Sequence, residues 1–343
     1  AVQALAAMQP TTAFGELYQY SNPLAAAAGF VGAHAAFPDL ELGAAYDRAM
    51  QTRIFDPLNM ADTTFDFDAA EAAGAASPHA WSTDLVNVPI THGLNRNVRP
   101  ARPAGGAWST VRDSARMGQL ELSRGVLPDG TRYIGEAAIQ ERHRPQVRID
   151  QRSWYGMGLV LADVKGVQVV SHGGSLIGFK SNFFLIPEAG IGGVVVANAD
   201  IGWTLTSRFS RYVLELLYAD DTPEALADVR VQVDDTRSSY AEERGTWQIP
   251  ADSSIVDMLA GRYRSDRLGE VVVESTGGGL RFVMEAWSTE VGTKRNPDGT
   301  ISFVILEPGL LGFEFVAGEP DGAFETLSLN DPQHTYHFVA ADG

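Results

Sequence analysis

Along the first 150 residues the apolar positions recur at helical spacing over Leu42–Ile54 and Ala107–Leu122, and Pro78, Pro89, Pro100 and Pro103 break the pattern into loops. The second patch predicts a helix capped by Ser109, entered from the stretch Pro103-Ala-Gly-Gly-Ala-Trp-Ser109. From Trp154 the texture changes. β-Branched and aromatic runs at Gly166–Ser171, Lys180–Ile186 and Gly192–Ala197, separated by glycine-rich turns, predict three successive antiparallel strands. Ile201, Leu205, Phe209, Val213 and Leu217 then recur every fourth residue, the stripe of one helix lying on that sheet. After Leu259 short segments follow at Glu270–Glu274, Leu280–Met284, Ile301–Leu306, Phe313–Ala317, Phe324–Leu329 and His334–Val339, a spacing that fits a small all-β barrel.

Length and charge divide the chain further. At 343 residues it exceeds what one core usually organises, so a main domain with an appendage is expected. Residues 219–257 hold ten carboxylates against Arg230, Arg237 and Arg244, which reads as an acidic, solvated linker between domains at 1–218 and 258–343. The net charge of -17 argues against nucleic acid or anionic lipid as partner, because such interfaces are built on clustered Lys and Arg. No apolar run approaches the length of a membrane span. The absence of cysteine removes disulfides, thiolate nucleophiles and Cys-based zinc sites together. His334 and His337 stand three apart on a predicted strand and so on opposite faces, and no metal or other cofactor is expected.

Two short motifs carry candidate chemistry. Tyr20-Ser21-Asn22 stands before Pro23 and an Ala-rich helical run, so the phenol and the amide sit on a loop ahead of a helix. A phenol can shuttle protons; with an ordinary pKa of about 10 it needs a neighbouring cation to act as a base at neutral pH. Asn22 offers a paired donor and acceptor for a substrate amide. The second motif, His172-Gly173-Gly174-Ser175, ends a predicted strand. Its glycines let a substrate lie along the strand edge, with the Ser175 N–H aimed at a developing oxyanion and His172 bonded to substrate or tyrosine. Ser175 is not itself a nucleophile on an elbow, since Gly174-Ser175-Leu176-Ile177 lacks the second glycine of Gly-x-Ser-x-Gly. Trp81, Trp108 and Trp154 are equally candidates for a cleft wall and for core packing.

These motifs, together with Ile54-Phe-Asp-Pro-Leu-Asn-Met60, Pro103–Ser109, Tyr155-Gly-Met-Gly158 and Gly190–Asn198, resemble in their order the landmarks of the penicillin-recognising serine hydrolases, the class C β-lactamase, D-aminopeptidase and esterase group. The resemblance covers residues 10–218 and implies an α/β fold, an antiparallel sheet with a helical subdomain; the tail resembles the small, lipocalin-like β-barrel that follows many such hydrolases. It implies acyl transfer to water from an ester, amide or peptide substrate, with Tyr20, Asn22 and His172 catalytic and Gly173, Gly174 and Ser175 at the substrate. It also implies a periplasmic or secreted location.

One departure stands out. The only lysines, Lys165, Lys180 and Lys294, follow Ala162, Ile177 and Val291 at the third position back, so the chain has no Ser-x-x-Lys. In the family that motif precedes the tyrosine, together with a first helix and two strands of the sheet. The expectation is therefore that an N-terminal segment of the same precursor, upstream of Ala1, supplies nucleophile and strands as a partner polypeptide. The alternatives are a non-catalytic binding protein that keeps the cleft, and a β-lactamase or D,D-carboxypeptidase. Histidine where those enzymes carry the lysine of Lys-Thr-Gly favours an esterase or peptidase, because imidazole is not a permanent cation.

Overall fold

The computed structural model describes residues 5–6, 8–219, 223–276, 279–285, 287–318, 322–331 and 334–341. Two compact units share the chain, one built from residues 1–77 and 95–230, the other from 78–94 and 231–343.

The first unit begins with helix α1, Asn22–Ala36, capped by the Ser21 hydroxyl, which accepts from the Leu24 N–H, and started by Pro23 in its first turn. Ala26, Phe30 and Ala33 form its buried face. They pack on Ala45 and Tyr46 of α2, Leu42–Met50, with the Phe30 and Tyr46 rings 5.8 Å apart. Gly29 lets Pro103 against this helix: a Cβ there would stand 2.4 Å from that of Pro103, which explains why the Pro103 loop lies so tightly. A π-helical turn, Gln51–Phe55, extends α2 and leads to buried Phe55, Leu58 and Met60. Helix α3 is Phe67–Ala72, capped by Asp66.

Next in the chain come β1, His79–Trp81, and β2, Asn87–Pro89, a small hairpin of the second unit. Back in the first unit, α4 spans Val111–Leu122, and its cap is Thr110, whose hydroxyl accepts from the Asp113 N–H, rather than the expected Ser109. The Ser109 hydroxyl is instead within 2.8 Å of that of Thr63, and Trp108 pairs its backbone with Thr64. The helix is held to that loop by Asp113. This carboxylate is only 2% exposed, accepts from the Asp62 N–H at 2.8 Å and the Thr63 hydroxyl at 2.9 Å, and pairs with Arg116. Glu121, equally buried, pairs with Arg142 and lies 3.0 Å from His143 at the end of α5, Glu136–Arg142.

An antiparallel sheet follows in the order β3 (Val147–Arg148), β4 (Ser153–Tyr155), β5 (Val160–Val164), β6 (Val167–Leu176), β7 (Phe179–Ile186) and β8 (Ile191–Ala197). The three expected strands are β6, β7 and β8; the shorter β3–β5 extend the sheet on the other side. Alternation divides the two faces. Leu159, Leu161, Val170, Phe183 and Leu185 pack with Leu122 of α4, while Val169, Phe184 and Ile186 pack with Phe209, Val213 and Leu214.

Those last residues lie on α7, Phe209–Tyr218, which the four-residue stripe predicts as part of one long helix. The segment is broken instead: α6, Trp203–Thr206, ends two residues before α7 begins. Hydroxyls of Thr204, Thr206 and Ser207 turn back onto the carbonyls of Ile201, Trp203 and Thr204, a local competitor of the helical ladder. Leu205 and Leu217, members of the stripe, are consequently exposed.

The acidic stretch carries α8, Ala227–Arg244, an eighteen-residue helix with no buried residue. Within the second unit its Tyr240 stacks edge-on against Trp81 at 5.2 Å, and Arg244 donates to the Thr83 carbonyl. After the short α9, Ser253–Val256, a closed antiparallel barrel forms from β9 (Arg262–Ser265), β10 (Gly269–Thr276), β11 (Gly279–Met284), β12 (Trp287–Arg295), β13 (Ile301–Ile305), β14 (Glu314–Ala317), β15 (Thr326–Asn330) and β16 (Thr335–Ala340). Its lumen is a packed core: Tyr263, Phe282, Phe303, Phe315 and Phe338 are fully buried, and the Phe282 ring lies 5.6 Å from that of Phe303 and 5.4 Å from that of Phe315, which is 5.5 Å from Phe338.

Asp113→Ala removes the acceptor of the Asp62 N–H and one partner each of the Thr63 hydroxyl and Arg116, and the expected loss is about 3 kcal/mol in the first unit. Hydrogen exchange of the α4 amides measures it; exchange unchanged from wild type would show that the carboxylate holds nothing together.

Candidate active site

The order of pairing along β6 creates the site. Strand β5 accompanies it only from Val167 to Ser171, whereas β7 continues to Leu176. Beyond Ser171, then, β6 is covered by β7 on one side and not by β5 on the other. Gly173, Gly174 and Ser175 are exposed there. A Cβ on Gly174 would fall 2.3 Å from the Ser181 hydroxyl, so glycine at this position keeps the cross-strand pair close. The hairpin tip that follows is fastened from both flanks. Buried Asn95 donates to the Ile177 carbonyl at 2.8 Å and accepts from its N–H at 3.0 Å. Asp200 accepts from the Gly178 N–H and pairs with Lys180, whose ammonium also donates to the Leu176 carbonyl.

At the head of this edge sits His172. Its Nδ1 lies 2.7 Å from the Gly173 carbonyl and its Nε2 3.0 Å from the Tyr155 hydroxyl. A carbonyl only accepts, so Nδ1 carries the proton; in the neutral ring Nε2 is then the acceptor and the Tyr155 O–H donates to it.

Two tyrosines, Tyr20 and Tyr155, lie against the imidazole, and a third packs on Tyr155. Tyr18 and Tyr20 lie two residues apart in the non-helical segment before α1, and both reach Tyr155, with ring centres at 5.3 Å and 6.3 Å. The Tyr20 ring is also 6.1 Å from that of His172. The structure thus brings Tyr20 and His172 together, with Tyr20 39% exposed. Asn22 stands exposed on the first turn of α1. Burial, reinforced by the neighbouring Tyr20 and Tyr18, pushes the Tyr155 phenol up to about 12; burial and Tyr20 likewise raise Tyr18.

Sequence reasoning missed Tyr18 and Tyr155 as members of the site. The available signals were the Tyr-x-Tyr spacing, which puts two rings on one side of an extended segment, and the Tyr155-Gly-Met-Gly158 motif. Trp108 packs edge-on against Phe67 and Phe179 within the first unit. His334 stacks on Tyr336, and His337 lies 3.1 Å from the Ser328 hydroxyl.

Comparison with known proteins gives this geometry a context. The family model described as Beta-lactamase matches residues 1–214. Penicillin-binding protein 4 of Amycolatopsis lactamdurans is 28% identical over 193 residues, 54% of this chain and 50% of that protein. The chain therefore spans about half the length of this curated relative. Among solved structures, an octameric penicillin-binding protein homologue from Pyrococcus abyssi is similar with a TM-score of 0.48 and 18% identity, over 95% of this chain and 65% of that one. A D-stereospecific amidohydrolase from Streptomyces sp. is similar with a TM-score of 0.42 and 22% identity, over 57% and 54%.

Tyr155, and Tyr46 in the core between α1 and α2, both hold their protons to about pH 12 because burial disfavours the phenolate. An unfolded phenol ionises near 10. The stability that these two groups contribute is complete below pH 10 and is lost as the pH rises towards 12. Phenolate absorbance during alkaline titration should show a late-ionising set that appears together with loss of structure, reduced by one in Tyr155→Phe. Ionisation of every tyrosine near pH 10 in a chain that stays folded would contradict this.

Proposed function

Since the chain belongs to the β-lactamase family, whose members are serine hydrolases, we propose that it carries the tyrosine and strand-edge half of an acyl-transfer site and cleaves an ester or amide bond through an acyl-enzyme. The observation that carries this reading is the contact of Tyr20 with His172 at the head of a strand edge that β5 leaves open. The nucleophile comes from polypeptide outside these 343 residues, an N-terminal segment of the same precursor, because no Ser-x-x-Lys occurs within them.

The chemistry runs in two halves. The incoming serine Oγ attacks the carbonyl carbon, and its proton passes to the lysine–tyrosine pair formed by the lysine of the same motif and Tyr20. The carbonyl π bond opens to an oxyanion, for which the exposed Gly173–Ser175 edge offers backbone donors. As the carbonyl re-forms, the alcohol or amine departs with a proton returned through Tyr20. Water then repeats the sequence on the acyl-serine and releases the acid. Asn22, at the start of α1, orients the amide of the acyl side.

Two features support a docking segment. Strand β8 ends the sheet order, leaving the outer edge of Ile191–Ala197 to be covered, and α7 presents Leu216, Leu217 and Tyr218 to solvent. Neutral imidazole in place of the lysine of Lys-Thr-Gly weakens the attraction for a substrate carboxylate, which ranks esterase or peptidase activity above β-lactam hydrolysis. The family resemblance goes with a periplasmic or secreted location; no helix among the described residues is long and apolar enough to cross a membrane.

In the protein joined with its N-terminal segment, Tyr20→Phe should lower turnover of an activated ester by at least about 100-fold with an unchanged circular-dichroism spectrum. Unchanged turnover removes Tyr20 from the mechanism. A fluorophosphonate should label a serine outside residues 1–343, and the labelled peptide should co-elute with this chain in size-exclusion chromatography with mass spectrometry. No label on any serine would leave the chain as a binding protein, and efficient hydrolysis of a chromogenic cephalosporin would reverse the ranking of substrates.

A further inference from the structure

The tyrosine that touches His172 most directly is not the one in the Tyr20-Ser21-Asn22 motif. Tyr155 closes β4, where it is opposite both Val147 of β3 and Val160 of β5, so its backbone is held on both sides. The next residue, Gly156, is wedged: a Cβ there would lie 2.5 Å from the Arg142 carbonyl and 2.9 Å from Leu161. The Tyr155 ring is further packed by Tyr18 at 5.3 Å. A phenol so fixed puts its hydroxyl 3.0 Å from His172 Nε2, while the opposite ring nitrogen is 2.7 Å from the Gly173 carbonyl. Both nitrogens are thereby engaged, one by a group that can only accept.

We propose that Tyr155 is a positioning residue for His172: its O–H, donated to Nε2, completes with the Gly173 carbonyl the pair of bonds that holds the imidazole as the Nδ1–H tautomer and locks its plane at the entrance of the Gly173–Ser175 edge. That His172 acts on a substrate rests on the reading above; that Tyr155 sets its tautomer does not. Without this donor only the Gly173 carbonyl still holds the ring, Nε2 is left without its partner, and rotation of the ring with protonation at Nε2 becomes available to it. The phenol keeps its proton across the neutral range, so it can donate to Nε2 whenever the imidazole is neutral.

The test is nitrogen NMR of the chain with its histidines labelled at both ring nitrogens, His172 being assigned by the signal lost in His172→Gln. In wild type at neutral-to-alkaline pH, His172 should show a protonated Nδ1 and an unprotonated Nε2. Tyr155→Phe, which keeps the ring against Tyr18, should give a mixture of the two tautomers and a displaced His172 titration. An Nε2–H tautomer in wild type, or an unaltered Nδ1–H signal in Tyr155→Phe, overturns the proposal. Ester hydrolysis by the assembled protein separates the two readings: Tyr155→Phe should move the alkaline or acid limb of its pH–rate profile, whereas Tyr20→Phe lowers the rate at every pH. An assembled wild type without hydrolysis defeats the acyl-transfer reading and leaves the tautomer result to decide this one.

Discussion

The site depends on one mismatch of strand lengths. β6 has ten residues, β5 has five, and their pairing stops at Ser171, so the second half of β6 runs on with a single neighbour. A free edge is ordinarily a liability, because unpaired N–H and C=O groups invite another strand. On β6 the free edge is one short stretch of exposed glycine and serine whose far end is pinned by Asn95, Lys180 and Asp200. An edge that is open yet stiff can pair with an extended amide without a large ordering cost on the protein side.

The same truncation explains the ring cluster. Where β5 leaves β6, β4 has already delivered Tyr155 to the level of His172, and the segment before α1 lays Tyr18 and Tyr20 against it. Four rings from three separate parts of the chain meet there. The two tyrosines before α1 are two residues apart, so one extended backbone presents both. The cap at Ser21 then turns the chain into α1 immediately after them. Helix α1 in turn is seated by the Gly29–Pro103 contact and by Ala45 and Tyr46. Positions far from the imidazole thus set where Tyr20 stands.

Much of this was legible in the sequence wherever periodicity and burial agree. Strands β6–β8 and the barrel strands rich in Val, Ile and Phe announce themselves, as do the Tyr20 and His172 motifs and the family they resemble. The misses have physical causes. Strand β12 hides because its buried positions include Thr289 and Thr293, which read as polar although the first hydroxyl donates to the Glu290 carbonyl and the second accepts from the Asp252 N–H. Strand β9 is four residues with one large apolar side chain, Tyr263. The stripe from Ile201 to Leu217 gave the right face and the wrong continuity, because periodicity does not register hydroxyls that bond back to the preceding turn. Helix α8 was masked by its charge: carboxylates promise solvent, and solvent is compatible with helix as well as with linker. Tyr155 was quoted as a landmark and not as a site residue, since its partner His172 is seventeen positions away and only the β4–β5–β6 meander brings them level.

Counting protons in the cluster narrows what any chemistry here requires. Burial and Tyr20 hold the proton on Tyr18, and burial, Tyr20 and Tyr18 hold it on Tyr155, so neither serves as a base near neutrality. The Nδ1 proton of His172 is committed to its own strand and its Nε2 lone pair to Tyr155. Tyr20 is the exposed phenol of the cluster, its ring 6.1 Å from that of His172. The strand edge, its glycines and the bonded imidazole thus form one held frame, and Tyr20 stands beside it as the most exposed ring of the cluster.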